Sequence, residues 1–276
     1  MEYVTLNNGF KMPKIGFGTM SCKGVEGEDT IALAIQNGYR MLDTAVVYGN
    51  EETVGNGIKK SGIDRKELIV VSKLWFDHNS YEEAKKGFYE SLERLQLDYI
   101  DVYLLHYPFG DYMGAWRALE ELYEEGKIKA IGVSNFFNDQ LLNLMTFSKV
   151  KPVINQIQCS PFIQRDIEKA FLQDRGVAME AWQSFAQGKN GIFQNELLAG
   201  IGKKYNKSIA QVILRWQTQQ DIVAIPSSPT TDLMLQNLDI FDFKLADEDI
   251  ALIKTMNTKE VLGTDEYRIH MLEKFL

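Results

Sequence analysis

Long apolar runs are missing from this 276-residue chain, and none approaches the ~20 residues that a membrane span needs. The opening stretch MEYVTLNNGFKMP has no basic segment followed by an apolar core, so no signal peptide is expected. Cysteine is scarce. Cys22 and Cys159 are the only two and neither belongs to a C-x-x-C, which fits a reducing cytoplasm better than a disulfide framework, with burial expected for both. The three histidines, His78, His106 and His270, are too scattered to suggest a metal site. Positive charge is also in deficit. Thirty Lys plus Arg against 38 Asp plus Glu leave a net charge of −8, which argues against nucleic acid or a membrane surface as partner. A local basic pocket for a small anion is still compatible with that balance.

What is present is an alternation. With 45% hydrophobic and 25% charged residues the chain reads as soluble and globular, and its length suits one large α/β domain or two ordinary ones. YVTL and FKMP flank Asn7-Asn8-Gly9, a hairpin signal. Eight short apolar runs follow: KIGFG (14–18), MLDT (41–44), LIVVSK (68–73), YIDVYLLH (99–106), KAIGVS (129–134), VINQIQ (153–158), VAMEAW (177–182) and IVAIP (222–226). Helical periods lie between them. Tyr81, Ala84, Phe88, Leu92 and Leu95 form one stripe, with Ser80 and Glu83 as a capping box in front; Trp116, Leu119 and Tyr123 repeat the spacing, as do Ile209, Val212, Ile213 and Trp216. Alternating strands and helices imply parallel pairing with right-handed crossovers. Eight such units in a chain of this length predict an α/β fold, a (β/α)8 barrel with the N-terminal hairpin closing its bottom, as one domain over residues 1–276. The rival, a doubly wound dinucleotide-binding sheet, wants G-x-G-x-x-G after its first strand. GFGTMS supplies Gly16 and Gly18 but Ser21 in the third place, and the rival is rejected.

In such barrels chemistry collects where strands end. Asp43 closes the second barrel strand with Tyr48 just beyond it, Lys73 closes the third and His106 the fourth. Ser134 and Asn135 follow the fifth, Gln156 and Gln158 lie late in the sixth, and Trp182 ends the seventh. Singly each has an ordinary explanation, since a strand-end His is more often structural and an Asp–Lys pair more often an ion pair. Together the Asp, Tyr, Lys and His on one rim point to a catalytic site.

MLDTAVVYGNEETVG, VVSKLW, DVYLLHYP and GKIKAIGVSNF, then NQIQCSPF and EAWQSFAQGKNGIF, resemble the successive signature blocks of the aldo-keto reductases, in its bacterial branch that reduces diketo acids and glyoxal. The resemblance runs from the hairpin to about Lys259. It implies NADPH- or NADH-dependent reduction of aldehyde or ketone carbonyls, in a monomer or weak oligomer. It further implies Tyr48 as proton donor, completed by Asp43, Lys73 and His106. A phenol has an ordinary pKa near ~10, and the Lys73 ammonium is expected to lower it while Asp43 holds the lysine. His106 is expected to donate to the carbonyl oxygen. A non-catalytic cofactor-binding or regulatory barrel is the alternative.

By the same resemblance Ser134, Asn135 and Gln156 clamp the nicotinamide carboxamide, and Trp182 stacks on the other face of the ring. Ser184 replaces the usual Pro two residues on, Gln158 replaces a frequent acid, and Cys159 stands where an aromatic is frequent. Met20 stands where a pocket Trp is common, with Trp75, Tyr107 and Phe109 as the other pocket walls. The tail, residues 260–276, offers no motif, although in this family it often shapes the pocket. Past the eighth strand, NADP-using relatives read Ile-Pro-Lys-Ser and then an Arg. Here IPSSPTTDLMLQN puts Ser227 and Leu233 in the Lys and Arg places, Asn237 survives as the usual adenine contact, and Ser227, Ser228 and Thr230 can still donate hydrogen bonds to the cofactor. NADH use is therefore expected.

Overall fold

In the computed structural model, which describes residues 1–228, 230–258 and 264–273, ten strands form two sheets. β1 (Tyr3–Thr5) and β2 (Lys11–Pro13) make an antiparallel hairpin. β3 (Phe17–Gly18), β4 (Met41–Asp43), β5 (Ile69–Leu74), β6 (Ile100–Leu105), β7 (Ile128–Ser134), β8 (Ile154–Gln158), β9 (Ala178–Trp182) and β10 (Ile222–Ala224) pair in parallel, each beside its neighbour in sequence. All eight expected barrel strands form. The sheet closes on itself where Ile15 bridges Ala224 and the Gly18 N–H reaches the Pro226 carbonyl at 3.0 Å. Gly18 permits that closure, because a Cβ there would stand 2.8 Å from the Ile225 carbonyl oxygen. The result is the (β/α)8 barrel.

The helices form where the apolar stripes predict. In Tyr81–Leu95, Ala84, Phe88, Leu92 and Leu95 are buried, and the Ser80 hydroxyl accepts the Glu83 N–H at 3.3 Å. The capping box expected there is only half made, because the Glu83 carboxylate lies 3.7 Å from the Lys86 ammonium instead. A complete box caps the helix Ile209–Thr218, where Ser208 and Gln211 bond reciprocally.

The hairpin plugs the N-terminal end of the barrel. Leu6 and Met12 pack onto Met41, Val71, Val102, Ala130, Val153 and Val223 from inside the strands. The turn is fastened by Asn7 and Asn8, whose side-chain amides donate to the Pro152 and Lys129 carbonyls at 3.0 Å each. An apolar plug below leaves the opposite, C-terminal mouth for polar side chains. No helix among the described residues is long and apolar enough to cross a membrane.

Candidate active site

Asp43 is the last residue of β4, and the chain then turns through a short 3-10 segment, Val46–Tyr48. Gly49 ends that turn at φ 60°, a left-handed conformation that suits glycine. The turn brings Tyr48 back over the strand ends, where the Lys23 ammonium bonds its carbonyl oxygen. Lys73, on β5, is fully buried. Its Nζ donates to Asp43 Oδ1 at 2.6 Å and to the Thr44 carbonyl at 2.8 Å, and lies 5.3 Å from the centre of the Tyr48 ring. A buried ammonium is tolerated only with such partners. His106, directly after β6, meets Tyr48 edge to face, with 6.1 Å between ring centres. The four residues expected at the rim are thus brought together.

Two charge states follow from this packing. Burial, and then the Lys73 charge, hold His106 well below its ordinary 6.5, so the ring is neutral. Its Nδ1 is buried and has no hydrogen-bond partner among the described residues. Tyr48 departs from expectation. Lys73 does favour its phenolate, but burial outweighs that attraction and Asp43 opposes it, so the phenol lies above its ordinary value rather than below.

The residues expected to clamp the nicotinamide are contiguous. Ser134 pairs in register with Gln156, and its hydroxyl donates to the Gln156 carbonyl at 2.9 Å. Asn135, at φ 60°, donates to the His106 carbonyl at 3.1 Å and to Ser134 Oγ at 3.0 Å, and accepts from Trp182 Nε1 at 3.1 Å. The Gln156 amide is already engaged inward: its Nε2 donates to Asp43 Oδ2 at 2.8 Å and to Glu180 Oε2 at 3.0 Å. Glu180, fully buried on β9, is not among the residues the sequence nominates for the site. The signal was a lone acid in the apolar run VAMEAW, inward by alternation with Ala181 and opposite Gln156.

An aromatic wall flanks the centre. Trp75 meets His106 at 5.1 Å and Tyr107 at 5.7 Å, and Tyr107 stacks between His106 and Phe109 at 5.4 Å each. Met20 stands apart in character, 59% exposed on the loop after β3. The tail helix Thr264–Glu273, for which the sequence offered no motif, supplies two further side chains. Met271 packs with Phe76 and Tyr107, and Arg268 lies 4.9 Å from the Phe109 ring centre while donating to the Asn135 carbonyl at 3.2 Å. The rest of the 260–276 stretch lies outside the described residues.

At the far edge, Ser227 and Leu233 are exposed, and Asn237 donates to Ser228 Oγ at 2.7 Å, both residues being buried. Thr230 caps the helix Thr231–Leu238, its hydroxyl accepting the Leu233 N–H at 3.5 Å. The donor set fits a nicotinamide dinucleotide. Two residues past Trp182, the buried Ser184 hydroxyl has no partner among the described residues, and a ligand oxygen would satisfy it.

Comparisons with known proteins agree with this geometry. Residues 14–258 match the model of the Aldo/keto reductase family. The chain is 45% identical over 264 residues to the glyoxal reductase of Bacillus subtilis (strain 168), covering 95% of each. It is 36% identical over 265 residues to a methylglyoxal reductase of Escherichia coli (strain K12), covering 95% of this chain and 96% of that protein. Among solved structures, an aldo-keto reductase from a Medee basin deep-sea metagenome library superposes with a TM-score of 0.92 at 40% identity, covering 95% of this chain and 97% of that one. The Bombyx mori aldo-keto reductase in complex with NADP superposes at 0.91 and 32% identity, covering 97% of this chain and 96% of that one. The chain belongs to the aldo/keto reductase family, and its reaction class is NAD(P)H-dependent carbonyl reduction.

Proposed function

We propose that this aldo/keto reductase reduces small aldehydes and ketones, α-dicarbonyls foremost, with Tyr48 as proton donor, and that it accepts NADH as well as NADPH. The observation that carries the reading is the buried Lys73 ammonium, held by Asp43 and Thr44 beneath the Tyr48 ring. Ser134, Asn135, Gln156 and Trp182 would hold the nicotinamide end of the cofactor, and Ser227, Ser228, Thr230 and Asn237 the adenosine end. When bound, the nicotinamide supplies hydride to the carbonyl carbon. Neutral His106, with its proton on Nε2, donates to the carbonyl oxygen and fixes the angle of attack. As negative charge grows on that oxygen, Tyr48 passes its proton across. Lys73 stabilises the phenolate left behind, and solvent later restores the proton. Burial raises the cost of that phenolate, so a fixed ammonium beside it is what the step requires.

Trp75, Tyr107 and Phe109 form the substrate wall, with Met20 leaving one side open. The α-dicarbonyl class is supported by the glyoxal and methylglyoxal reductases among the relatives. NADH use rests on the 2′-phosphate edge, where no Lys or Arg occurs from 227 to 238 and Asp232 adds a negative charge. Two buried, unpaired thiols support a reducing, cytoplasmic setting, and we take the working unit to be one barrel over the chain, a monomer or weak oligomer. The retired, non-catalytic barrel finds no support, since Tyr48, Lys73 and His106 stay assembled. The test is a panel of glyoxal, methylglyoxal, diketo acids and aromatic aldehydes with each cofactor, followed by loss of nicotinamide absorbance. Turnover of the dicarbonyls with both cofactors is expected, and no turnover of any carbonyl would overturn the reading.

A further inference from the structure

Glu180 has no task in the reduction as described, yet it lies one hydrogen bond from the machinery. The Gln156 Nε2 spends its two hydrogens on two carboxylates, Asp43 Oδ2 at 2.8 Å and Glu180 Oε2 at 3.0 Å. The other Asp43 oxygen takes the Lys73 ammonium at 2.6 Å. The other Glu180 oxygen, Oε1, is buried with no hydrogen-bond partner among the described residues. Two acids therefore share one ammonium inside the barrel. The charged groups facing Glu180 are Asp43 from β4 and Lys73 from β5. β8 presents the neutral Gln156, β10 (Ile222–Ala224) is apolar, and the Tyr48 phenol lies within reach of the Glu180 charge. With both carboxylates ionised the cluster carries one uncompensated negative charge in a buried place, which is costly. A proton on Glu180 restores neutrality and leaves the Gln156 bond intact.

We propose that Glu180 is a positioning residue of the reduction that works protonated, holding the Gln156 amide and through it Asp43 and Lys73, and that its ionisation makes Tyr48 hold its proton more tightly. The inference rests on Tyr48 being the proton donor. Burial, and then the Asp43 carboxylate, push the Glu180 carboxyl up to about 8, and its charge is among those that disfavour the Tyr48 phenolate. Below that pH, Lys73 acts on Tyr48 against one carboxylate. Above it, Lys73 acts against two, and proton transfer slows.

The test compares wild type with Glu180→Gln, which keeps an oxygen for Gln156 and cannot ionise. In wild type the single-turnover rate of dicarbonyl reduction should fall several-fold with a midpoint near pH 8, whereas Glu180→Gln, whatever its rate near neutrality, should stay flat across that range. The Tyr48 phenol, raised by burial, titrates above the window. A merely structural Glu180 would lower melting temperature or raise KM and leave the alkaline limb in place. A limb surviving in Glu180→Gln at the same midpoint, or a flat wild type, overturns the proposal. Infrared difference spectra of the wild-type protein need neither turnover nor a folded variant. They should show a carboxylic-acid carbonyl band near neutrality that disappears above pH 8, and its absence near neutrality also overturns the proposal. A protein showing that band yet reducing no carbonyl at any pH would instead overturn the functional reading.

Discussion

The two ends of the barrel bury side chains by opposite means. At the N-terminal end, Leu6 and Met12 of the hairpin cluster with the apolar Met41, Val71, Ile154 and Val223, and Asn7 and Asn8 fasten the turn by hydrogen bonds. At the C-terminal end β4, β5, β8 and β9 bury Asp43, Lys73, Gln156 and Glu180, which bond to one another and, from Lys73, to the Thr44 carbonyl. The apolar plug is stabilised by removing hydrocarbon from water, at roughly 25 cal/mol per Å², and its packed cluster holds no ionisable side chain. The polar end gains little net stability from its ion pair, since desolvation offsets attraction, but it depends on each partner being present. What the contrast teaches is that fold and chemistry are carried by opposite halves of the same strands, so damage to one should leave the other measurable.

Lys73→Met should do the most harm. It strips Asp43 of its buried partner, and stability should fall by about 3–5 kcal/mol, with turnover down by roughly 10²–10⁴-fold. Urea denaturation and kcat report the two, and a variant that melts like wild type would place the ion pair wrongly. Met12→Ala attacks the other end: a loss of about 2–5 kcal/mol from the cavity is expected, with kcat per folded molecule unchanged. A catalytic defect there as large as its stability defect would erase the division between the ends. Smaller is the effect at the edge proposed to hold the cofactor's adenosine end. Ser227→Lys with Leu233→Arg adds two charge-assisted phosphate bonds of about 1.5–3 kcal/mol each. The ratio of kcat/KM should then move toward NADPH by about a hundredfold, with the melting temperature unchanged. A wild-type preference for NADPH already above about a hundredfold would contradict the reading of this edge.

The smallest effect is one of pH. His106 lies below its ordinary 6.5 when folded, so as pH falls past 6.5 the unfolded chain takes up a proton that the folded chain refuses. Its contribution is therefore full above 6.5 and is lost progressively as pH falls toward the folded value. Denaturation midpoints of wild type and His106→Gln should diverge in slope below pH 6.5, and parallel curves would mean that His106 is not buried in its neutral form.

Much of this was legible in the sequence. All eight strand runs appear at their expected places, because each is a short apolar stretch between helical stripes, and Asp43, Tyr48, Lys73 and His106 converge because strand ends in a closed barrel must. What stayed hidden depends on packing across the barrel. Glu180 reads as an oddity in VAMEAW until Gln156 links it to Asp43, which lies 113 residues away from Gln156 in sequence. The direction of the Tyr48 shift was misread because a neighbouring lysine is visible in a sequence and the extent of burial is not. Likewise the Ser80 box was half right: spacing permits the reciprocal bond, but the nearby Lys86 competes for the Glu83 side chain. Arg268 and Met271 acquire meaning only once the tail helix lies on the Tyr107–Phe109 wall.

The central claim, that the polar end is a proton-donating site served by Lys73, is tested most directly by Tyr48→Phe. The substitution removes one hydroxyl and leaves the Asp43–Lys73 pair, the clamp and the hairpin plug in place. Single-turnover reduction of glyoxal or methylglyoxal, measured beside cofactor affinity and melting temperature, should show affinity and fold unchanged and the rate lower by at least ~10²-fold. A Tyr48→Phe protein that keeps about a tenth of the wild-type rate would contradict the account, since a general acid is worth far more than that.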